Sequence, residues 1–99
     1  MNKKLKAKWV AGLLSDDFEQ GRALLHWDGK FCVMGVLRHI NNPDDITKWI
    51  NPYGDESEML SRERLKEFGL TNSIQKRLAG LNDNGVPFPM LAGLIEETL

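Results

Sequence analysis

Apolar positions fall into helix-spaced stripes along most of this chain, with one interruption. Leu5, Trp9 and Leu13, joined by Val10 and Leu14, recur at three- and four-residue intervals and predict an amphipathic helix over about 3–14, ended by Ser15 and Asp16. Asp16 and Asp17 ahead of Phe18 predict a further short helical turn reaching Gln20, before Gly21 breaks the run. From Arg22 the pattern changes. Leu24-Leu25-His26-Trp27, Asp28-Gly29 and Lys30-Phe31-Cys32-Val33 predict a small β-hairpin over about 23–33, because Asp-Gly supplies the positive φ angles of a type I′ turn. Pairing around that turn sets His26 opposite Phe31. Two strands alone are marginal in water, so the hairpin must lean on helices.

Phe31 to Ile40 is the most apolar stretch of the sequence. Val33, Val36, Leu37 and Ile40 share one helical face, while Phe31, Cys32 and Met34 add bulk on other sides. A helix apolar nearly all round is a buried one, which predicts a central helix over about 32–41. Gly35 in its middle costs about 1 kcal/mol relative to Ala. Close approach of another backbone is the compensation that predicts.

Asn42-Pro43-Asp44-Asp45 opens a helix with a cap, a proline in the first turn and two acids near the positive end; Ile46, Trp49 and Ile50 form its stripe before Asn51-Pro52 stops it. Residues 53–58 read as a polar acidic loop. Ser61 caps a helix running through Phe68, with Leu60 and Leu65 as a hydrophobic staple and Gly69 as a left-handed exit. Asn72 with Gln75 predicts another cap, ahead of Ile74, Leu78 and Leu81. Asn82-Asp83-Asn84-Gly85 reads as a turn. Pro87 and Pro89 launch a last helix whose Leu91, Leu94 and Ile95 face inward, and whose end Glu96 and Glu97 should fray by opposing the dipole. The fold expected is mainly α, a single globular domain over 1–99. It is a compact bundle of five or six short helices around the central helix, plus the hairpin.

Composition narrows the classes. At 99 residues, with 41% hydrophobic and 27% charged residues, the chain can bury roughly two-thirds of its unfolded surface without staples. The lone Cys32 has no internal disulfide partner and fits a reducing cytosol. No apolar run is long enough for a membrane span, and the opening residues do not read as a signal peptide. The chain nets −1, yet Lys3, Lys4, Lys6 and Lys8 make its first eight residues +4, so the remainder nets −5. The basic arm could meet nucleic acid or an acidic partner; a mildly acidic body is poor material for wrapping DNA.

Catalytic and metal constellations are not evident. The soft ligands are His26, Cys32 and His39, and on a helix the last two lie two turns apart, too far for one zinc ion. A thiol nucleophile would need His26 to reach Cys32 across the hairpin, and nothing marks a third orienting group. None of the 14 acids sits in an apolar setting that would suit it to general acid work. Asp83 reads as turn chemistry, and Gly12, Gly21 and Gly29 lack phosphate-loop spacing. Residues 74–95 imitate half of a helix-turn-helix, but the would-be recognition helix from Pro89 to Leu99 carries no Arg, Lys, Asn or Gln to read bases. No enzyme activity, cofactor or metal is expected.

What remains is surface recognition. Of Trp9, Trp27 and Trp49, the first and last suit the core, whereas Trp27 at the hairpin tip is hardest to bury and would make a natural anchor in a partner's pocket. Arg22, His26, Trp27, Asp28 and Lys30 gather there and could read an anionic ligand or an acidic protein surface. Tyr53, Asp55, Glu56 and Glu58 form a second candidate, an acidic loop suited to a basic groove or to imitating nucleic acid.

One family likeness covers most of the chain from Trp9 onward. Gln20-Gly21, Leu25, Gly29 and Phe31-Cys32-Val33-Met34-Gly35-Val36-Leu37, then Leu81-Asn82-Asp83, Gly85, Phe88, Leu91-Ala92 and Ile95-Glu96, resemble a family of small proteins of tailed phages and prophages. In that family the first block reads aromatic-Cys-Cys-Leu-Gly-Val-Leu and the second Leu-Asn-Asp-x-Gly-x-Ser-Phe. This chain departs from it with Val33 for the second cysteine, Arg38 where another is frequent, and Pro87 for the capping Ser, which weakens any metal or redox role. The resemblance implies a setting, the host bacterial cytoplasm, rather than a mechanism; in that setting a short chain without a catalytic constellation is expected to be a non-enzymatic phage accessory protein that binds and modulates, by inhibition, a host protein such as a CRISPR or other anti-phage component. Two alternatives stand beside it: a sponge for a small anionic, nucleotide-like ligand held by Arg22, His26 and Lys30, and a DNA-associated regulator. Either a monomer or a homodimer is compatible.

Overall fold

Helix α1 (Lys3–Leu14) starts where Asn2 Oδ1 accepts the Lys4 and Leu5 N–H groups at 2.8 and 3.1 Å, and stops where Ser15 bonds back to the Gly12 carbonyl. The computed structural model describes residues 1–45 and 58–99. After α1 come three two-residue strands, β1 (Glu19–Gln20), β2 (His26–Trp27) and β3 (Lys30–Phe31), then helix α2 (Val33–Asn41) and a 3-10 turn at Pro43–Asp45. Three more helices complete the described residues: α3 (Arg62–Phe68), α4 (Asn72–Asp83) and α5 (Phe88–Thr98). The mainly helical fold expected is the one observed. The predicted stripe of Ile46, Trp49 and Ile50 lies outside the described residues.

Helix α2 is the central one. Val33, Met34, Val36 and Leu37 are all buried in it, and α1, α4 and the sheet pack around it, while α1 packs most extensively on α5 through Trp9, Leu13, Leu91 and Ile95. The Trp9 indole N–H donates to the Val33 carbonyl at 3.0 Å, so the largest core side chain also fixes where α2 begins. Gly35 has the neighbour its position predicts: a Cβ there would fall on the carbonyl oxygen of Leu25. The backbone entering the hairpin lies directly on the helix, and only a residue without a side chain admits it.

The hairpin forms as predicted, with Asp28 at φ 52°, Gly29 at φ 76° and His26 opposite Phe31. A third strand joins it. Where Asp16 and Asp17 predict a helical turn, the chain bends instead, the Asp17 N–H bonded to Ser15 Oγ, and Glu19–Gln20 pairs in parallel with Lys30–Phe31 to give the order β1-β3-β2. Free strand-edge groups on β3 offer that backbone more partners than one isolated helical turn does.

Five helix ends bear on their sequence signals. The Ser61 cap and the Gly69 exit of α3 appear as expected, Gly69 at φ 75° and the Leu70 N–H bonded back to the Leu65 carbonyl. Thr71, one residue before Asn72, caps α4 through its hydroxyl, because Asn72 and Gln75 are bonded to each other and Gln75 also grips both backbone groups of Leu60. Asn82 and Asp83 belong to the last turn of α4 rather than to a loop. Helix α5 stays helical through Thr98 despite Glu96 and Glu97, with Lys6 Nζ donating to the Glu96 carbonyl at 3.0 Å. A lysine at a helix C-terminus offsets part of the unfavourable acidic end.

Gly35→Ala should therefore lower unfolding stability by about 1–3 kcal/mol in urea titrations, the cost of overpacking outweighing better helix propensity. Gly80→Ala, exposed in α4 with open space where its Cβ would go, should raise it by up to about 1 kcal/mol.

Candidate functional site

The hairpin is held by a buried amide at the end of α4. Asn82, with none of its surface exposed, accepts at Oδ1 from Gln20 Nε2 (3.0 Å) and from the Val33 N–H (3.2 Å), and its Nδ2 donates to the Gly21 carbonyl (2.8 Å). The Val33 N–H belongs to the first turn of α2 and has no acceptor within its own helix, so Asn82 supplies one from a distant element. Gln20 extends the network: its Nε2 also donates to the Val86 carbonyl at 2.8 Å and its Oε1 accepts the Phe88 N–H at 3.0 Å. Pro87 has no side-chain acceptor to cap α5, and the amide oxygen of Gln20 takes that role.

Asp83 holds the next link. Its Oδ1 accepts the Ala23 N–H at 2.9 Å, where Ala23 stands at φ 68° inside a three-residue turn closed by the Leu24 N–H and the Arg22 carbonyl at 2.8 Å. A non-glycine residue in that region costs about 1–2 kcal/mol. The strained turn sets the direction of Arg22, whose guanidinium lies across the bare Gly85, with Nη2 3.2 Å from where a Cβ would stand.

Strand alternation divides the predicted tip cluster in two. Trp27 pairs with Lys30 and faces one side; together with Gly21, Arg22, Leu24 and Asp28 they line a recess of about 110 Å³. Trp27 keeps 55% of its surface exposed. Lys30 Nζ stands 4.0 Å from Glu19 Oε1, both largely solvated, an ion pair worth little. His26 turns to the other face. Its ring stacks edge-on to Phe31 at 4.5 Å, and Phe31 in turn meets Phe18 at 5.1 Å and His39 at 5.4 Å. His26 is thus not among the residues lining the Arg22–Lys30 recess, and burial, helped by the charge on His39, holds its pKa below the ordinary histidine value.

Elsewhere the chemistry is quieter. Cys32 caps α2, its Sγ accepting the Gly35 N–H at 3.4 Å, and burial pushes its thiol up to about 11, far from a thiolate at neutral pH. It borders a recess of about 240 Å³ with Ala23, Glu58, Met59, Ala79 and Asp83, and neither histidine lines that space. Of the acidic-loop candidates, Glu58 lies there, while Tyr53, Asp55 and Glu56 lie outside the described residues. Among the described residues no group of three or more His, Cys, Asp or Glu is placed to hold a metal, and no helix is long and apolar enough to cross a membrane. The helix-turn-helix likeness dissolves: α5 buries Leu91, Ala92 and Ile95 in the core. Gln20, Gln75 and Asn82 enter the sequence analysis only as cap, turn and family-block residues, and their role as buried or half-buried hydrogen-bonding amides is what it missed. Their signal was position, since Gln75 and Asn82 share the stripe of Leu78, the buried face of α4.

Removing the Asn82 amide strands two backbone groups and Gln20, so Asn82→Ala should cost about 2–4 kcal/mol in denaturant titrations and broaden the resonances of residues 20–33. A histidine whose folded pKa is depressed stabilises the fold above its unfolded pKa and loses that contribution as pH falls through the folded value. Thermal stability should therefore drop from pH 7 to pH 5, and His26→Gln should flatten that decline.

No curated protein and no solved structure matches the chain. One family model does, over residues 1–67, from α1 through the hairpin and α2 to the last turn of α3. Two-thirds of the sequence is thereby accounted for, and the chain belongs to the family described as Domain of unknown function (DUF8296).

Proposed function

We propose that this protein is a non-enzymatic phage accessory protein that docks on a host protein through its hairpin tip and inhibits it, the host protein being a component of an anti-phage defence such as a CRISPR system. The observation that carries the docking reading is the exposure of Trp27 on a tip whose backbone is pinned from three sides by Asn82, Asp83 and Gly35. Exposed aromatic rings on rigid backbone lose little entropy on binding, and Trp is enriched among residues that dominate interface energies. The phage setting and the host cytoplasm rest on the sequence blocks described above.

Two features favour protein docking over the rival readings. A recess of about 110 Å³ is well below the roughly 300 Å³ at which small-ligand pockets begin, and His26 is turned away from it, which leaves a nucleotide-like ligand few contacts. A DNA-associated role would have to run through Lys3, Lys4 and Lys8, since Lys6 bonds to α5.

The test is capture of a host protein from bacterial lysate on immobilised wild type and on Trp27→Ala. Trp27→Ala should keep its melting temperature, because an exposed substitution shifts stability by no more than about 0.5 kcal/mol, and should lose the captured protein. Equal capture by both would sink the reading. Reversing the charges of Asp55, Glu56 and Glu58 tests the acidic segment as a second contact in the same assay.

A further inference from the structure

We infer that the recess beside Trp27 receives a carboxylate side chain from an acidic segment of the partner protein, held between the Arg22 guanidinium and the Lys30 ammonium. This deepens the docking reading and rests on it.

Five observations combine. The recess has the size of a single side chain rather than of a cofactor, at about 110 Å³. Its polar groups include two long cations, Arg22 and Lys30, and a guanidinium binds a carboxylate through two parallel hydrogen bonds. The strained turn at Ala23, clamped by Asp83, fixes the backbone beside Arg22, and the long side chain, whose guanidinium lies over Gly85, lines the recess. Lys30 Nζ meets Glu19 Oε1 at 4.0 Å, a solvent-exposed pair that a better-placed carboxylate can replace. The exposed Trp27 ring beside the cations gives a peptide chain apolar area to cover that a free anion would leave unused.

Asp28 on the same rim sets the sign of the test. Its negative charge opposes an acidic ligand and would favour a basic one. Asp28→Asn removes the charge and keeps the turn, since Asn-Gly suits type I′ geometry as well as Asp-Gly does.

The experiment is an NMR titration of the full chain with the blocked peptide Ac-Gly-Leu-Glu-Leu-Gly-amide, its Gln counterpart, and sodium phosphate. The Glu peptide should move the Trp27 indole and the Arg22 and Lys30 resonances saturably, about tenfold more tightly than the Gln peptide. Arg22→Gln should weaken it by a similar factor, and Asp28→Asn should tighten it. The inference is overturned if the Glu peptide produces no saturable shift, if both peptides bind alike, if the shifts concentrate on Lys3 to Lys8, or if Asp28→Asn weakens binding. Phosphate displacing the peptide at lower concentration would also overturn it, by marking a site for free anions. The two readings fail separately. Host capture that needs Trp27 but survives Arg22→Gln and Lys30→Gln removes the carboxylate and keeps the docking, whereas Glu-peptide binding with unaltered capture by Trp27→Ala removes the docking alone.

Discussion

A single buried carboxamide ties this molecule together. Asn82 meets the first turn of α2, the chain leaving β1 and the side chain of Gln20, and every one of those partners lies about 50 residues or more away in sequence. In a low-dielectric interior each of these groups would otherwise be stranded, at about 1–3 kcal/mol apiece, so the network holds its parts in one arrangement. Gln20 passes the constraint on to α5, whose first turn takes its acceptor from β1 rather than from its own preceding residue. Three helices and the sheet are thus registered to one another by two amide side chains.

That registration explains the division of labour at the hairpin. Leu25 pressed on Gly35 and Ala23 bonded to Asp83 hold the backbone before the tip, Val33 bonded to Asn82 holds it after, and strand alternation does the rest. One face carries His26 into an aromatic cluster with Phe31, Phe18 and His39, where it stabilises the inside. The opposite face carries Trp27, Lys30 and Arg22 outward. A one-residue slip in register would exchange the two sets, which is why a pinned backbone matters more here than the length of the strands.

Much of this was legible in the amino-acid sequence because local rules govern it. The spacing of Val33, Val36 and Leu37 predicts α2, Asp28-Gly29 predicts the turn, and Ser61 and Gly69 mark both ends of α3, each through a signal only a few residues long. The misreadings have the opposite origin. Glu19–Gln20 becomes a strand because β3 offers it partners, and Asn82 is a core residue because Val33 and Gly21 need it, facts that no short window contains. The candidate site divides in the same way. Exposure of Trp27 follows from its place at a hairpin tip, but separating His26 from Arg22 and Lys30 requires knowing which face of the sheet meets α2.

The distance in sequence between the tip and its anchors has a consequence for timing. A ribosome that has just finished Val33 must still add Asn82 and Asp83, on the order of several seconds of synthesis at about 5–20 residues per second, before the strained turn and the α2 terminus find their acceptors. The surface around Trp27 is therefore among the last parts of the protein to acquire its shape during translation, and a nascent or truncated chain would display the tryptophan without the geometry that orients it.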